Sequence, residues 1–175
     1  GTCHGRLCSA VGLAEGATIT DEAFERIASN HHALTGEKLT ERMAAGRRAG
    51  YDATFNAPKS VSIQAFVGGD ERLITAHETA TREALSELEV FARHQTGRGL
   101  NKRHVASDGI AATVFRHGES RALDPHLHSH AFIFNVTRNA AGRLMALESS
   151  AIFENTRYLT EVYRNALARE VQQLG

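Results

Sequence analysis

The stretch Ala112-Thr113-Val114-Phe115-Arg116-His117-Gly118-Glu119-Ser120-Arg121-Ala122-Leu123-Asp124-Pro125-His126-Leu127-His128-Ser129-His130-Ala131-Phe132-Ile133-Phe134 carries both strand-like alternation and a cluster of histidines. Residues 104–117 read as a strand, with Ile110, Val114 and Phe115 set among small residues. Gly118 to Pro125 supplies a turn, and Leu127 to Thr137 a second strand. Two strands joined by so short a connection pair antiparallel. Side chains alternate along a strand, so His126, His128 and His130 project from one face. Around Leu127, Ala131 and Ile133 the apolar pattern reads as imperfect alternation.

The same logic extends outward. Gly50-Tyr51-Asp52-Ala53-Thr54-Phe55 alternates like a strand, with Tyr51, Ala53 and Phe55 on one face and Asp52 and Thr54 on the other. Pro58 suits the first turn of a helix, which Gly68-Gly69 ends. Asp70 can cap the next helix, where Leu73, Ala76, Ala80, Ala84, Leu88 and Phe91 keep a helical period to about His94. Residues 138–143 read as a hairpin turn before a short strand over 144–147. Ile152, Leu159, Val162, Tyr163, Ala166 and Val171 form the stripe of a last helix. Upstream, Thr20 caps a helix to about Ser29, with Ile19 placed to pack on Phe24. The first twenty residues and 30–46 read as irregular. A few strands joined by turns, with three or four helices, give an α+β fold: an antiparallel sheet flanked by α-helices.

At 175 residues and 42% apolar, the composition is that of one globular domain. No run is long and apolar enough to span a membrane. Twenty basic residues balance twenty acidic ones, so any nucleic-acid contact depends on local surface rather than net charge. Arg42, Arg47 and Arg48 cluster, as do Arg98, Lys102 and Arg103, and such clusters usually form a solvated face. Cys3 and Cys8 are not spaced as a CxxC pair, which argues against a disulfide scaffold and for a reducing cytoplasm.

Ten histidines are present, five of them between His104 and His130. Two imidazoles two apart on a strand can reach one metal ion, and a third ligand must come from a neighbouring strand. On spacing alone His117 and His126 compete for that place. Three neutral nitrogens with open coordination positions suit a site that polarises a substrate oxygen. Asp124 and Glu119 are nearby candidates to fix the imidazole tautomers.

These residues resemble a known family. Phe115-Arg116-His117, Ser120-Arg121 and Asp124-Pro125-His126-Leu127-His128-Ser129-His130 resemble the metal motif of TrwC/TraI-type (MobF) conjugative relaxases, members of the HUH endonucleases. Residues 50–62, from Gly50-Tyr51-Asp52 to Pro58-Lys59-Ser60-Val61-Ser62, are similar to a second family block. Thr156-Arg157-Tyr158-Leu159 with Val162-Tyr163 is similar to a third. The resemblance implies a ferredoxin-like palm and strand-specific nicking of single-stranded DNA at an origin of transfer, by attack of a tyrosine on a phosphate. It implies a divalent metal ion (Mg, Mn, Zn or Ni) held by His117, His128 and His130, which decides against His126. It gives Asp52 a catalytic role, orienting a ligand histidine or accepting the tyrosine proton. Lys59, Arg121 and Arg157 become DNA-binding candidates. Lys59 stands where helix-start amides favour anions. Expected partners are single-stranded DNA with its origin hairpin and relaxosome proteins, in the bacterial cytoplasm.

One departure matters. Family nucleophiles lie near the N-terminus, upstream of every block quoted, and the only tyrosines here are Tyr51, Tyr158 and Tyr163. None reads as the nucleophile. The expectation is a relaxase core over 1–175 that lacks the tyrosine-bearing segment and retains metal and DNA binding. The alternatives are a nuclease-dead HUH binding module, and a three-histidine metallohydrolase of small phosphoesters.

Overall fold

Two long strands carry the histidines, and the other elements are arranged around them. A computed structural model of the chain describes residues 1–41, 46–97 and 99–175. Arg42 and Arg98 lie outside the described residues. The strands are β1 (Thr2–His4), β2 (Gly50–Asn56), β3 (Arg93–Thr96), β4 (Arg103–Ala106), β5 (Ala112–Glu119), β6 (Pro125–Phe134), β7 (Thr137–Arg138) and β8 (Leu144–Met145). The helices are α1 (Asp21–Ala28), α2 (Lys59–Phe66), α3 (Arg72–Leu88), α4 (Ser150–Glu154) and α5 (Thr156–Gln172).

The main sheet is antiparallel in the order β1-β5-β6-β2, and β3-β4 and β7-β8 form two small ribbons. This is the α+β architecture expected from the pattern. Alternation along β6 is complete, which corrects the reading of an imperfect pattern. Leu127, Ser129, Ala131 and Ile133 all point to one face and are buried, while His126, His128 and His130 take the other. The buried face meets α3 and α5 in a core that includes Phe55, Ala80, Ala84, Leu88, Leu127, Ala131, Ile133 and Leu159. The opposite face is only half covered. Phe24 of α1 packs on Phe115, Phe132 and Phe134 at 6.0, 5.0 and 5.4 Å between ring centroids. Beyond Phe115 and Phe132 the same face carries the histidines. The sheet thus changes from aromatic and covered to imidazole and open within one strand length.

Several boundaries differ from those read in the sequence. Residues 2–4, read as irregular, pair with β5 as its edge neighbour. The run over 104–117 splits into β4 and β5, with Gly109 between them at φ 74°, a conformation that favours glycine. Helix α3 passes at Leu88 into a single 3-10 turn over Glu89–Phe91, Ala92 is extended, and His94 lies in a strand. The buried carboxylate of Glu89 accepts hydrogen bonds from the backbone N–H groups of Arg6 (2.7 Å) and Ile110 (3.2 Å), tying this turn to two distant loops. The last helix is interrupted at Asn155. Thr20 caps α1 as expected, accepting from the Ala23 N–H.

Cys3 and Cys8 are joined in a disulfide, which corrects the expectation of no such link. Gly5, at φ 110°, turns the chain back so that the second cysteine returns beside the first. Both are buried.

Candidate metal centre

The register of the central strands builds the site. His117 of β5 lies opposite His128 of β6, and Phe115 lies opposite His130. On the other side of β6, Thr54 of β2 lies opposite His130, and Asp52 stands two residues along on the same face. Directly opposed residues share a face, so His117, His128, His130, Thr54 and Asp52 all face the open half of the sheet.

The three rings form a nearly equilateral triangle. Centroids are 5.2 Å apart for His117 and His128, 5.5 Å for His117 and His130, and 5.3 Å for His128 and His130. Imidazoles on one ion, with metal–nitrogen bonds of ~2.0–2.1 Å in tetrahedral directions, place their centroids roughly 5 Å apart. The backbone therefore already sets the required spacing. The nitrogens are not yet turned onto a common point. Among the described residues no set of three or more His, Cys, Asp or Glu side chains is gathered tightly enough to hold an ion.

Hydrogen bonding decides which nitrogens are free. The Nδ1–H of His130 donates to Asp52 Oδ2 at 2.9 Å, and that of His128 donates to the His126 carbonyl at 2.9 Å. Both rings therefore keep the Nε2 lone pair for a ligand role. A carboxylate or carbonyl behind the ring is the usual device for fixing tautomer and basicity of a metal-binding imidazole. Thr54 Oγ1 donates to the same Asp52 oxygen at 3.2 Å and stands 3.3 Å from His130 Nδ1. It holds the carboxylate in place, a role that reading the sequence missed although the shared face of Asp52 and Thr54 was visible. Asp124 and Glu119 are not the orienting groups. The Asp124 N–H and C=O belong to the 120–124 turn. His117 is held below the ordinary imidazole pKa by partial desolvation and then by the charges of His128 and His130, which favours the neutral, ligating form.

Two concavities open beside the site. One, of about 760 Å³, is lined by Arg116, His117, Ser120, Arg121, His126 and His128. The other, of about 300 Å³, follows the free edge of β2 and is lined by Asp52, Thr54, Thr156, Tyr163 and Arg164 among others. The imidazoles of His117 and His128 line the first; the second reaches the site only through Asp52 and Thr54.

Comparison with known proteins places this geometry. The TrwC relaxase family model matches residues 1–175, the whole chain. The chain belongs to the TrwC relaxase family. Within that family it is 38% identical over 121 residues to the multifunctional conjugation protein TraI of Escherichia coli K12, covering 69% of this chain and 7% of TraI. A second Escherichia coli TraI is 34% identical over 136 residues, covering 73% of this chain and 8% of the other. Among solved structures, the copper-bound conjugative relaxase TrwC in complex with oriT DNA superposes with a TM-score of 0.88 at 32% identity, covering 99% of this chain and 59% of that one. A metal-free TrwC–oriT complex gives 0.89 at 33% identity, covering 99% and 62%. The chain thus spans less than a tenth of the TraI proteins and about three fifths of the TrwC chains.

The remaining candidate residues can be placed on this relaxase fold. Lys59 opens α2, and its Nζ donates to the Pro125 carbonyl at 3.0 Å, beside His126. Arg121 is exposed on the wall of the larger concavity. Arg157, exposed in the first turn of α5, lies outside both concavities. His126 stacks on His128 at 4.5 Å between centroids, with the planes 20° apart. The three tyrosine hydroxyls are engaged elsewhere. Tyr51 donates to the Leu147 carbonyl (3.4 Å) and Tyr158 to Glu87 (2.8 Å), and Tyr163 is bonded to the buried His77 (2.7 Å). No helix is long and apolar enough to cross a membrane among the described residues.

Proposed function

We propose that residues 1–175 are the metal- and DNA-binding core of a conjugative relaxase domain, which in its parent protein takes part in nicking and rejoining one DNA strand at an origin of transfer. The observation that carries this reading is the triangle of His117, His128 and His130 with Asp52 bonded behind His130. The bound cation would neutralise charge developing on the scissile phosphate. The chain's own residues prepare that position. Asp52 and Thr54 orient His130, the His126 carbonyl orients His128, and lowered basicity favours the neutral form of His117. Among divalent ions, three imidazoles suit Zn, Mn or Ni better than Mg, which prefers oxygen ligands.

Arg121 and Lys59 flank the larger concavity, and we assign them to the phosphates on either side of the reacting one. Arg157 is assigned to DNA on the family block and its exposure. The partner is single-stranded DNA next to an origin hairpin, with relaxosome proteins around it in the bacterial cytoplasm. The nucleophile is a tyrosine from a segment outside these residues. That Tyr51, Tyr158 and Tyr163 bond away from the imidazoles supports this reading.

The test uses an oriT-type oligonucleotide with the chain alone and with a longer protein that includes the upstream region. The expected result is metal-dependent binding by both and a 5′-phosphotyrosyl product from the longer protein only. A covalent product from the chain alone would overturn the assignment of the nucleophile. Binding without nicking by the longer protein would favour a nuclease-dead module.

A further inference from the structure

Behind the histidines, on the core face of the same strand, lies a buried polar chain. Ser129 sits between His128 and His130 and points the opposite way. Its Oγ is 2.8 Å from His77 Nε2, and His77 Nδ1 is 2.7 Å from the Tyr163 hydroxyl. His77, Ser129 and Tyr163 are 0%, 1% and 2% exposed. The chain therefore ties α3, β6 and α5 together through a core that is otherwise apolar. Ala76, Ala80, Leu127, Ala131 and Ala166 surround it.

Stability does not account for this chain. Satisfied hydrogen bonds between buried groups contribute little net free energy, and apolar replacements of similar shape are often neutral or better. Apolar packing lacks direction, however. Hydrogen bonds fix one position of Ser129 along the strand and one rotation of each helix against it. Neighbouring contacts act on the same rungs. Glu78, next to His77, pairs with Arg116 at 3.0 Å, and Arg116 is the residue directly opposite Ser129. One step along β6, the Leu127 N–H donates to the buried Ser62 Oγ of α2 at 3.0 Å, and the Leu127 carbonyl accepts from the Ala57 N–H at 3.0 Å. The strand is thus pinned from behind at 127 and 129, and the imidazoles at 128 and 130 emerge from the pinned segment.

We infer that His77 is a positioning residue: acting through Ser129, and braced by Tyr163, it sets the placement of His128 and His130 as metal ligands. This inference rests on the metal reading above. A ligand set whose supporting groups are lost typically binds its metal 10–100-fold more weakly.

The experiment titrates the chain with Co(II), whose visible absorption reports ligand geometry. The variants are Ser129→Ala, Ser129→Thr, Tyr163→Phe and His128→Ala, each checked for folding by thermal melting. Ser129→Ala and Tyr163→Phe remove one hydroxyl apiece and keep the packing. The expected result is a Co(II) affinity roughly ten-fold lower in Ser129→Ala, with an altered spectrum. Tyr163→Phe should shift in the same direction, and Ser129→Thr, which keeps the hydroxyl, should recover the parent behaviour. If Ser129→Ala and Tyr163→Phe melt earlier yet bind Co(II) as the parent does, the chain is structural only and the inference fails. If the parent binds Co(II) no better than His128→Ala, the metal reading fails and takes this inference with it. The two failures are therefore distinguishable.

Discussion

At the scale of single residues, Asp52 and His77 carry the sharpest consequences. Asp52 is the only side-chain carboxylate bonded to a ligand histidine among the described residues. Asp52→Asn keeps its shape but removes the charge that favours the Nε2-ligating tautomer of His130. We expect a 10–100-fold loss of affinity for Zn(II) or Ni(II), measured by competition with a chromophoric chelator. An unchanged affinity would remove Asp52 from the site. His77 leads to a stability experiment. Burial, then the charges of Arg116 and His128, depress its pKa from the ordinary 6.5 to about 4. Between those values the unfolded chain binds a proton that the folded chain refuses. Stability is therefore full above about pH 6.5 and falls as pH drops toward 4, by up to about 3 kcal/mol. Denaturant unfolding of the parent and of His77→Gln at several pH values checks this: the variant should lose that part of the slope.

At the scale of elements, β6 was the most legible piece and β1 the least. The run from His126 to Ile133 alternates strictly, and the sequence shows which histidines share a face without any structure. The third ligand was not legible from spacing, since His117 and His126 fit equally well. Register supports the proposal of His117, by setting it opposite His128 and within 5.5 Å of His130. The pattern showed Asp52 only as a face; the resemblance made it the partner of a histidine, and the pairing of β2 with β6, across 78 residues of chain, shows which one. His77 left no signal. A single histidine on the apolar stripe of a helix looks like any buried residue until Ser129 and Tyr163 are seen around it. The end of α3 is overrun by only a few residues, because the helical period does continue through Phe91, as a 3-10 turn, before Ala92 turns extended. Leu127 tests the element as a whole. It is fully buried beneath the histidine rungs, and Leu127→Ala should cost about 2–5 kcal/mol in equilibrium unfolding.

At the scale of the whole molecule, charge balance shapes how DNA is held. With twenty cations against twenty anions, the proposed DNA binding has to rely on local cations such as Lys59 and Arg121. Each phosphate contact on a single strand contributes roughly 0.7 to the slope of log affinity against log salt. Two or three contacts predict about a ten-fold weakening between about 50 and 200 mM salt. Replacing Lys59 and Arg121 together by Ala should reduce the slope by roughly 1.4. Anisotropy titrations with a labelled oligonucleotide measure both, and an unchanged slope would place the phosphates elsewhere.

The border strand β2 has one further implication. Among the described residues its seven positions pair with β6 on one side only, which leaves the outer row of amides and carbonyls as a template for another extended chain. A charge on such a margin discourages identical molecules from zipping together. Asp52 is a charged residue on that margin, so the carboxylate bonded to an imidazole is also of the kind that discourages such pairing. An apolar replacement there would mix lost chemistry with clumping.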